Sequence, residues 1–447
     1  MPPIDSVNRR NVIKGMVAGG AASLAGCIGD EGDTTGSSGG SEGLEVTAWS
    51  FGPNFPVLEE GAEYWNEENP HTIMPEEIDD GVEVWSSALQ VQDGLPGIGL
   101  LHWPIYRSAA RNGGLENIND VVMPNLDNLI DSAISAAHVD GNFYGFPHSI
   151  NPTALIYNKN LFEEADLPGN PEDVFNEIET YDDLIQAGDQ MQSETGADLV
   201  VHGSEIPQVP NALLTQYGGG FYNSDGDFEF DQQANVEVFR TLKDLQPYGA
   251  NLGLFGNVIW EELRAENVAS FIVPGWYIGF IRDNLEDMSG DWRIARLPAP
   301  EPGGPRGATE GGAPEAIPVA NAADVKEVAR DFGEFRNMSE VGYNQKLQNW
   351  IFPANSVDDP EVYEEPVEFF GGQTVFDQLG PTLEASPPQD SAPTDEIDQM
   401  YQEAYRLIMD EDEEIESTLS EAHDNMMSVI NEADESRVTV EEIRSSA

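Results

Sequence analysis

The chain has 447 residues, which is enough for two lobes with separate cores, because single hydrophobic cores stop growing at about 250–300 residues. Its hydrophobic content of 39% and its eight tryptophans exclude a disordered acidic polypeptide. It carries 82 acidic and 20 basic residues, a net charge of −62, and the sequence shows no basic stretch to bind the phosphates of nucleic acid. We therefore expect a globular protein that does not bind nucleic acid.

The acidic residues are spread along the whole chain instead of forming one tail. They indicate a solvated acidic surface, and at this density they are also typical of adaptation to molar salt. So large a charge repels itself, but at about 1 M salt the Debye length is roughly 3 Å and the repulsion is screened. The composition therefore predicts a protein of a salt-loving cell.

Three features of the N-terminus follow one another in the order of an export signal. Arg9-Arg10 precede an apolar, Gly/Ala-rich run from Met16 to Ala25, which Leu24-Ala25-Gly26-Cys27 closes. This order resembles a twin-arginine signal joined to a lipoprotein processing box, and the apolar run is too short to span about 30 Å of hydrocarbon. We expect removal of the signal peptide, residues 1–26, and a lipid on Cys27. The alternative is a chance arginine pair beside a small-residue helix.

The segment that follows reads as a linker. Residues 29–43 are Gly, Ser, Thr, Asp and Glu with almost nothing apolar, so we expect residues 27–43 to be the lipidated cysteine and a flexible tether. Because Cys27 is the only cysteine, an intrachain disulfide and a cysteine-based metal site are excluded.

Strand and helix signals alternate in the first part of the chain. The run from Leu44 to Trp49 predicts a strand, and apolar spacing predicts a helix from about Pro56 to Asn69. Residues 99–103 predict a second buried strand, followed by a helix that ends at Asn112 before two glycines. This alternation predicts a mostly parallel sheet.

The most informative stretch begins at Asp140. A turn at Gly141 and a short aromatic strand lead to Pro147, and a continuous apolar run follows from Ala154 to Tyr157. Such a run predicts a strand that is buried on both faces. Asn158 and Lys159 end it before a short helix.

The later elements have their own signals. Thr180 predicts the N-cap of a helix that runs to Thr195, and Asp225-Gly226 predicts a hairpin turn. The remaining predictions are a strand at 269–272, a long Gly/Pro-rich loop or second inter-lobe crossing at 298–318, an amphipathic helix at 321–338, a third inter-lobe crossing at 352–353 and an acidic helical tail at 395–444.

In their order these segments resemble the extracellular solute-binding proteins, the maltose-binding-like family that serves ATP-driven sugar importers. The resemblance rests on the strand that ends at Trp49, the stretch from Asp140 to Phe162, Glu310-Gly311-Gly312 after Leu297-Pro298, the helix with Ala329, Phe332 and Phe335, and the segment 369–373. The last segment is most similar to the binding proteins for arabinose and lactose. Together with the acidic composition, this suggests a haloarchaeal member.

The resemblance implies an α/β fold of the two-lobe, periplasmic-binding-protein-like type II class with three inter-lobe crossings. We expect lobe 1 to contain residues 44–149 and 313–350, and lobe 2 to contain residues 150–312 and 351–447. Hinge closure of such lobes traps a ligand in the cleft.

A sugar site needs aromatic rings for apolar C–H faces, and amides or carboxylates for hydroxyls. The family places a stacking tryptophan where Trp276 ends a strand of lobe 2, and a polar ligand contact where Asn151 lies in the first crossing. Packing in a core is the alternative for Trp276, and capping of a turn is the alternative for Asn151. The other expected ligand contacts are Trp49, Phe51, Asn54, His102, Trp103, His148, Asn211, Trp260, Gly311, Gly312 and Gln373. Core packing is also open for Trp49, and an ordinary loop role is open for the two glycines.

The functional expectation is a sugar-binding lipoprotein of an importer, without catalysis, cofactor or metal. Pairs of carboxylates such as glycosidases use are unavoidable among 82 acidic residues, so they do not indicate an enzyme. The six histidines show no close metal-binding spacing. The expected partners are a sugar and permease subunits with a separate ATPase. We expect the protein to be a monomer that its lipid alone holds at the extracellular face of the cell membrane. A binding module that feeds a sensor, and a cell-surface enzyme acting on polysaccharide, are the alternatives.

Overall fold

The computed structural model describes residues 43–79, 81–202, 208–223, 225–356, 366–387, 392–430 and 438–446. The predicted signal peptide, residues 1–26, and Cys27 with nearly all of the tether lie outside these residues. In the described part, no helix has the length and apolar character that crossing a membrane requires.

Thirteen strands are found among the described residues, and they build two main sheets and one small pair. The strands are β1 (Glu45–Ser50), β2 (Thr72–Glu77), β3 (Ile98–Leu100), β4 (His138–Val139), β5 (Asn142–Phe143), β6 (Gly145–Phe146), β7 (Asn151–Asn158), β8 (Asp198–His202), β9 (Gly249–Asn251), β10 (Val268–Pro274), β11 (Trp292–Ala295), β12 (Thr309–Glu310) and β13 (Glu315–Ala316).

Helices surround both sheets. They are α1 (Asn54–Glu68), α2 (Gly81–Val91), α3 (Trp103–Arg111), α4 (Asn119–Val122), α5 (Asp131–Ala137), α6 (Lys159–Glu164), α7 (Pro171–Glu177), α8 (Tyr181–Glu194), α9 (Gln208–Tyr217), α10 (Gln233–Leu245), α11 (Asn257–Arg264), α12 (Tyr277–Asn284), α13 (Ala323–Met338), α14 (Glu340–Gln348), α15 (Phe376–Ala385), α16 (Asp395–Met409), α17 (Ile415–Met427) and α18 (Val440–Ser446). Short 3-10 turns lie at Met123–Asn128, Gln246–Tyr248, Glu286–Met288 and Glu368–Phe370.

The first sheet forms the centre of lobe 1, with strand order β2-β1-β3-β13-β6. Strand β1 runs parallel to β2 and β3, as the alternation of strand and helix predicts. Strand β13 enters from much later in the chain and pairs antiparallel with both β3 and β6. Its two residues therefore join the early strands of lobe 1 into one sheet.

The second sheet forms the centre of lobe 2, with strand order β11-β7-β10-β8-β9, and β12 also pairs with β7. All eight residues of β7 are buried, which confirms the prediction of a strand covered on both faces. Its neighbour β10 is buried along its whole length and runs antiparallel to it, with Ile156 opposite Phe271. The core of lobe 2 therefore lies on both sides of these two strands.

The predicted N-cap of α8 is confirmed. The Thr180 hydroxyl accepts a hydrogen bond from the Asp183 backbone N–H, and the Asp183 carboxylate accepts one from the Thr180 N–H. This capping box satisfies two backbone donors that the first turn would leave without partners. The helix ends before Thr195, as expected.

Within the described residues, three segments connect the two lobes and lie side by side. Crossing 1 leads from β6 to β7, crossing 2 from β12 to β13, and crossing 3 follows α14 at residues 351–354. Crossings 1 and 3 are joined where the Ile150 N–H donates to the Phe352 carbonyl. Crossings 1 and 2 are joined by the pairing of β7 with β12. The expected α/β fold of two lobes with three crossings is confirmed.

Two details differ from the sequence prediction. The second strand ends at Leu100, because His102 and Trp103 already begin α3. The last helix, α18, lies on lobe 1 and not on lobe 2, since Ile443 is buried in the apolar cluster of lobe 1. The Arg444 guanidinium, which donates to the carbonyls of Leu126 and Leu129, holds it there.

Candidate ligand-binding cleft

The candidate site lies where strands of both lobes end near the crossings. Phe51 follows the carboxyl end of β1, His102 and Trp103 follow β3, and Trp276 follows β10. Open α/β sheets bind ligands at the carboxyl ends of their strands. We call the region around these four side chains and Gly311 of crossing 2 the cleft.

One residue of crossing 2 connects the tryptophans of the two lobes. The indole N–H of Trp103 donates a hydrogen bond to the Gly311 carbonyl at 3.2 Å. A Cβ atom placed on Gly311 would lie 4.0 Å from Cδ1 of Trp276 and 3.2 Å from Nδ2 of Asn151. Both indoles are half-buried. The structure therefore brings Trp103 and Trp276, which were predicted separately, to the same point of the hinge.

The two glycines of crossing 2 are required by the backbone. Gly311 and Gly312 have φ angles of +91° and +97°, which L side chains rarely adopt. A Cβ atom on Gly312 would lie 2.8 Å from the Ser149 carbonyl oxygen and 3.2 Å from Cζ2 of Trp103. The close neighbours are thus crossing 1 and an indole, so the glycines serve the packing of the hinge.

Trp276 lies in an aromatic cluster of lobe 2. Tyr277 and Phe280 contact it edge to face, with ring centroids 5.6 Å and 6.2 Å away. Phe255 lies parallel to it, at 6.3 Å with an angle of 7° between the rings. Phe255 is 66% exposed and was not found from the sequence. An aromatic residue in the loop directly before α11, next to Gly256, was the available signal.

Lobe 1 contributes a stacked pair. The rings of Phe51 and His102 lie 4.4 Å apart at an angle of 19°, and both are half-buried. A Cβ atom on Gly81 would lie 2.9 Å from Phe51 and 3.1 Å from His102, so the pair packs against the start of α2. Two predicted residues from different strand ends are therefore brought together.

His148 lies beneath the cleft and not in it, since its side chain is fully buried. Its Nε2 is 3.1 Å from Oδ1 of Asn54, and its Nδ1 is 3.0 Å from Oδ1 of Asn337. Asn54 is half-buried at the start of α1. The prediction of His148 as a direct ligand contact is therefore not supported by this geometry, whereas Asn54 keeps its place at the strand end.

His148 belongs to a buried polar network that connects the crossings. The Glu315 carboxylate of β13 lies 2.8 Å from the Arg336 guanidinium and accepts a hydrogen bond from Nδ2 of Asn337 at 2.7 Å. The Lys346 ammonium donates to the His148 carbonyl at 2.8 Å and to Oδ1 of Asn337 at 2.6 Å. Because Glu315, His148 and Lys346 come from distant parts of the chain, the sequence had no local signal for this network.

Burial and charge shift the pKa values in this network. Burial lowers the pKa of Lys346 from 10.5 to about 7, although Glu315 acts in the opposite direction. Burial raises the pKa of Glu315, but Arg336, His148, Lys346 and Asn337 together outweigh it and lower this pKa to about 2. Burial, followed by the charge of Lys346, lowers the pKa of His148 well below 6.5. The network therefore contains an ionised carboxylate and a neutral imidazole.

Two predicted tryptophan contacts belong to the cores. Trp49 is 8% exposed, packs edge to face on Trp85 at 5.2 Å and donates its indole N–H to the Glu76 carboxylate at 3.1 Å. Trp260 is 7% exposed and stacks on Tyr277 at 5.8 Å. Neither ring is free to stack on a ligand.

Two predicted amide contacts are used by the backbone. Gln373 accepts from the Ile294 N–H at 3.0 Å and donates to the Ile294 carbonyl at 2.6 Å. Asn151 is 2% exposed, and its Oδ1 accepts from the Phe352 N–H at 3.2 Å. Gln373 therefore holds β11, and Asn151 joins crossings 1 and 3. The expectation that these amides bind ligand hydroxyls is not supported by this geometry.

Asn211 remains a candidate from lobe 2. It is half-buried on α9, and its side chain makes no hydrogen bond within the described residues. Its backbone carbonyl accepts from the Thr215 hydroxyl at 2.9 Å.

No group of three or more His, Cys, Asp or Glu side chains in the described ranges is arranged so that it could hold a metal ion.

Known proteins share both the sequence pattern and the fold. Residues 99–370 match the family model described as bacterial extracellular solute-binding protein. An arabinooligosaccharide-binding protein of Halalkalibacterium halodurans is 28% identical over 367 residues, covering 75% of this chain and 77% of that protein. A lactose-binding protein of Rhizobium radiobacter is 23% identical, covering 76% of this chain and 82% of that protein.

Among solved structures, the galacto-N-biose/lacto-N-biose I-binding protein of Bifidobacterium longum has a TM-score of 0.71 at 15% identity, covering 89% of this chain and 100% of that chain. The binding protein of B. animalis subsp. lactis in complex with β-1,6-galactobiose has a TM-score of 0.70 at 15% identity, covering 86% and 97%. At this identity the likeness shows the fold alone. The family match spans more than half of the chain, and this protein belongs to the bacterial extracellular solute-binding proteins.

Proposed function

We propose that this protein captures a sugar in the cleft and delivers it to the permease of an ATP-driven importer. The observation that carries the proposal is the meeting of Trp103 from lobe 1 and Trp276 from lobe 2 at Gly311. Aromatic faces bind the apolar C–H faces of sugars. Two relatives are an arabinooligosaccharide-binding protein and a lactose-binding protein, and their names support a sugar as the ligand.

The proposed capture uses both lobes. Trp276 with Phe255 offers aromatic surface from lobe 2, and Trp103 with the Phe51–His102 pair offers it from lobe 1. Rotation of the lobes about the three crossings closes the cleft over the sugar. The ligand stabilises the closed form only by as much as it binds that form more tightly than the open one.

The ligand class can be narrowed by charge. The side chains that define the cleft, Phe51, His102, Trp103 and Trp276, include no lysine or arginine that would pair with an anionic group. We therefore propose a neutral mono- or oligosaccharide. Arabinose oligomers are the first to test, because the arabinooligosaccharide-binding protein of H. halodurans shares 28% identity with this chain.

The test is a thermal-shift screen in high salt with arabinose, arabinotriose, lactose, maltose, glycerol and glycerol 3-phosphate, followed by titration calorimetry. A ligand that binds only the native state raises the melting temperature with concentration. We expect a neutral sugar to raise it and to remain intact after long incubation, as chromatography would show. A shift with glycerol 3-phosphate alone, or cleavage of an oligosaccharide, would contradict the proposal.

We further propose that the protein is a monomeric lipoprotein on the outer face of the cell membrane, exported through its twin arginines. The support is the order of Arg9-Arg10, the apolar run and Cys27 in the sequence. Intact-mass analysis of the native protein should show loss of residues 1–26 and a lipid on Cys27, and Cys27→Ala should remove the lipid. An unmodified Cys27 with residues 1–26 attached would contradict the anchor.

A haloarchaeal type of this family is proposed from the acidic composition. Dialysis to about 10 mM salt lengthens the Debye length to roughly 30 Å and restores the self-repulsion of the acidic surface. We expect the near-UV circular dichroism signal to be lost on this dialysis. A signal that is unchanged would argue against adaptation to high salt.

A further inference from the structure

The groups that face one side of the His148 ring decide which ring nitrogen carries a proton. Two oxygens face Nδ1: Oδ1 of Asn337 at 3.0 Å and Oε1 of Glu315 at 3.6 Å. Both are acceptors, because Glu315 is held ionised by Arg336 at 2.8 Å. Nδ1 must therefore carry a proton.

The amide of Asn337 cannot be turned the other way. Its Nδ2 donates to the Glu315 carboxylate at 2.7 Å and to the Gly333 carbonyl at 2.9 Å, and both are acceptors. Its Oδ1 accepts from the Lys346 ammonium at 2.6 Å. Reversal of the amide would place oxygen against two oxygens, and nitrogen against a donor. The acceptor that faces Nδ1 of His148 is thus fixed by three independent contacts.

A neutral ring with its proton on Nδ1 has a bare lone pair on Nε2. The ring is fully buried and its ionisable neighbours are Glu315 on β13, Arg336 on α13 and Lys346 on α14. Burial and the two cations disfavour the imidazolium, and they outweigh Glu315 and the hydrogen bond to Asn337, which favour it. The atom of Asn54 that lies 3.1 Å from Nε2 is the amide Oδ1. Two acceptors cannot form a hydrogen bond, and the O and N ends of an amide are assigned from the hydrogen-bond network, so the Asn54 amide must be turned to present its N–H group to Nε2.

We propose that His148 is a positioning residue for ligand capture: its Nε2 accepts a hydrogen bond from the Asn54 amide and so turns the Asn54 carbonyl oxygen toward the cleft, as an acceptor for a ligand hydroxyl. The two ends of an amide have nearly the same shape, so hydrogen-bond polarity decides which end faces the ring. The other end of the Asn54 amide makes no hydrogen bond within the described residues.

This inference rests on the proposed function, because it assigns a role in the cleft that binds the sugar. It gives different roles to two of the predicted site residues. Asn54 touches the ligand, and His148 beneath it sets which atom Asn54 offers. The same ring is tied to Asn337, whose partner Glu315 follows crossing 2, so the polarity of the cleft is set from the hinge.

The first test needs no ligand. Histidine labelled with stable isotopes lets NMR distinguish the two neutral tautomers and the imidazolium, and the signal missing from His148→Gln assigns the ring. We expect the neutral Nδ1–H tautomer at about pH 7, where an unperturbed histidine is mostly neutral. A neutral Nε2–H tautomer or a doubly protonated ring would overturn the inference.

The second test changes the partner. Asn54→Asp keeps an oxygen for the ligand but cannot donate to Nε2, so the ring must take a second proton to face the carboxylate. We expect the pKa of His148 to rise in this variant, and its affinity for arabinotriose to increase at least threefold from about pH 8 to about pH 6. The matched control is Asn112→Asp, which adds the same charge on exposed surface of lobe 1.

The outcomes separate the two claims. Wild-type protein and Asn112→Asp should bind arabinotriose within twofold across this range. If Asn54→Asp is as insensitive to pH as they are, or if Asn54→Ala binds as tightly as wild type, the positioning role is overturned while sugar binding stands. If wild type binds no sugar of the panel, the proposed function fails, and the tautomer measurement still decides the polarity of the network.

Discussion

The indole N–H of Trp103 donates a hydrogen bond to the carbonyl oxygen of Gly311, 3.2 Å away. Trp103 belongs to the first helix turn after β3 in lobe 1, whereas Gly311 belongs to a crossing that returns from lobe 2. The bond therefore anchors an aromatic ring of the cleft to the hinge itself. Trp276 of lobe 2 also lies near Gly311, so one indole from each lobe is close to the same backbone residue of the hinge.

Trp276→Ala should weaken sugar binding without unfolding the protein. A stacking aromatic contributes about 0.5–1.5 kcal/mol beyond its area, so with the lost area we expect at least a roughly tenfold loss of affinity. The half-buried ring should leave the melting temperature nearly unchanged. Calorimetric titration beside melting curves measures both effects.

The matched control for this change is Trp260→Ala, since that indole is buried in the core of lobe 2. Its loss should cost about 3–5 kcal/mol of unfolding free energy. If Trp276→Ala instead lowers stability as much as Trp260→Ala does, and leaves affinity intact, Trp276 is a core residue and not a stacking residue.

Gly312→Ala should destabilise the protein more than Gly113→Ala does. Both residues have positive φ angles, +97° and +69°, where a side chain costs roughly 1–2 kcal/mol. A Cβ atom on Gly113 meets nothing within 4 Å, whereas one on Gly312 lies 2.8 Å from the Ser149 carbonyl oxygen. The difference in unfolding free energy between the two variants therefore reports the close packing of crossings 1 and 2 together with the larger φ angle of Gly312. Equal losses would contradict it.

Lys346 should make stability rise with pH above neutrality. Its pKa is about 7 in the folded protein against 10.5 ordinarily, so between these values the unfolded chain binds more protons than the folded one. The unfolding free energy should then increase from about pH 7.5 to about pH 9.5, with a slope of up to about 1.4 kcal/mol per pH unit. Denaturant titrations at constant high salt measure this slope.

The variant that checks the assignment is Lys346→Met, which keeps a long side chain but cannot titrate. It should lower stability at all pH values, because the His148 carbonyl and Asn337 lose a donor, and it should flatten the slope. Lys326→Met removes a partly exposed pair with Glu116 and should leave the slope as in wild type. A slope that survives in Lys346→Met would assign the effect to another group.

Gln373→Ala should lower stability and spare affinity. Its amide satisfies both the N–H and the carbonyl of Ile294, and loss of buried partners costs about 1–3 kcal/mol. Gln186→Ala, on the exposed face of α8, is the control and should change neither property. Weaker sugar binding by Gln373→Ala with unchanged melting would restore the original expectation of a ligand contact.

The local signals in the sequence were sufficient for most of the framework. The apolar run at 154–157 and the N-cap signal at Thr180 predicted β7 and α8, because each signal lies within or beside its own element. The sequence did not show that the amides of Gln373 and Asn151 bond to the backbone, because their partners, Ile294 and Phe352, are far away in sequence. A free amide and a satisfied amide have the same letter in a sequence.

The same reason explains why the sequence left the roles of the aromatic residues open. Trp49 and Trp103 both lie near strand ends, but Trp49 still belongs to β1 and points into a core with Trp85. Phe255 was missed because exposure, not residue type, makes it a candidate. The two-residue strand β13 was also out of reach, since its pairing depends on strands that only the complete fold brings together.

The place of β13 has a consequence for how the chain acquires its fold during synthesis. Strands β3 and β6 emerge early from the ribosome, yet the strand that joins them is made only at residues 315–316. The second sheet is complete one crossing earlier, at β12. Although lobe 1 comes first in the chain, its sheet can close only after residues 315–316 have been made, when every strand of the second sheet is already present. Such long-range pairings are slow to form.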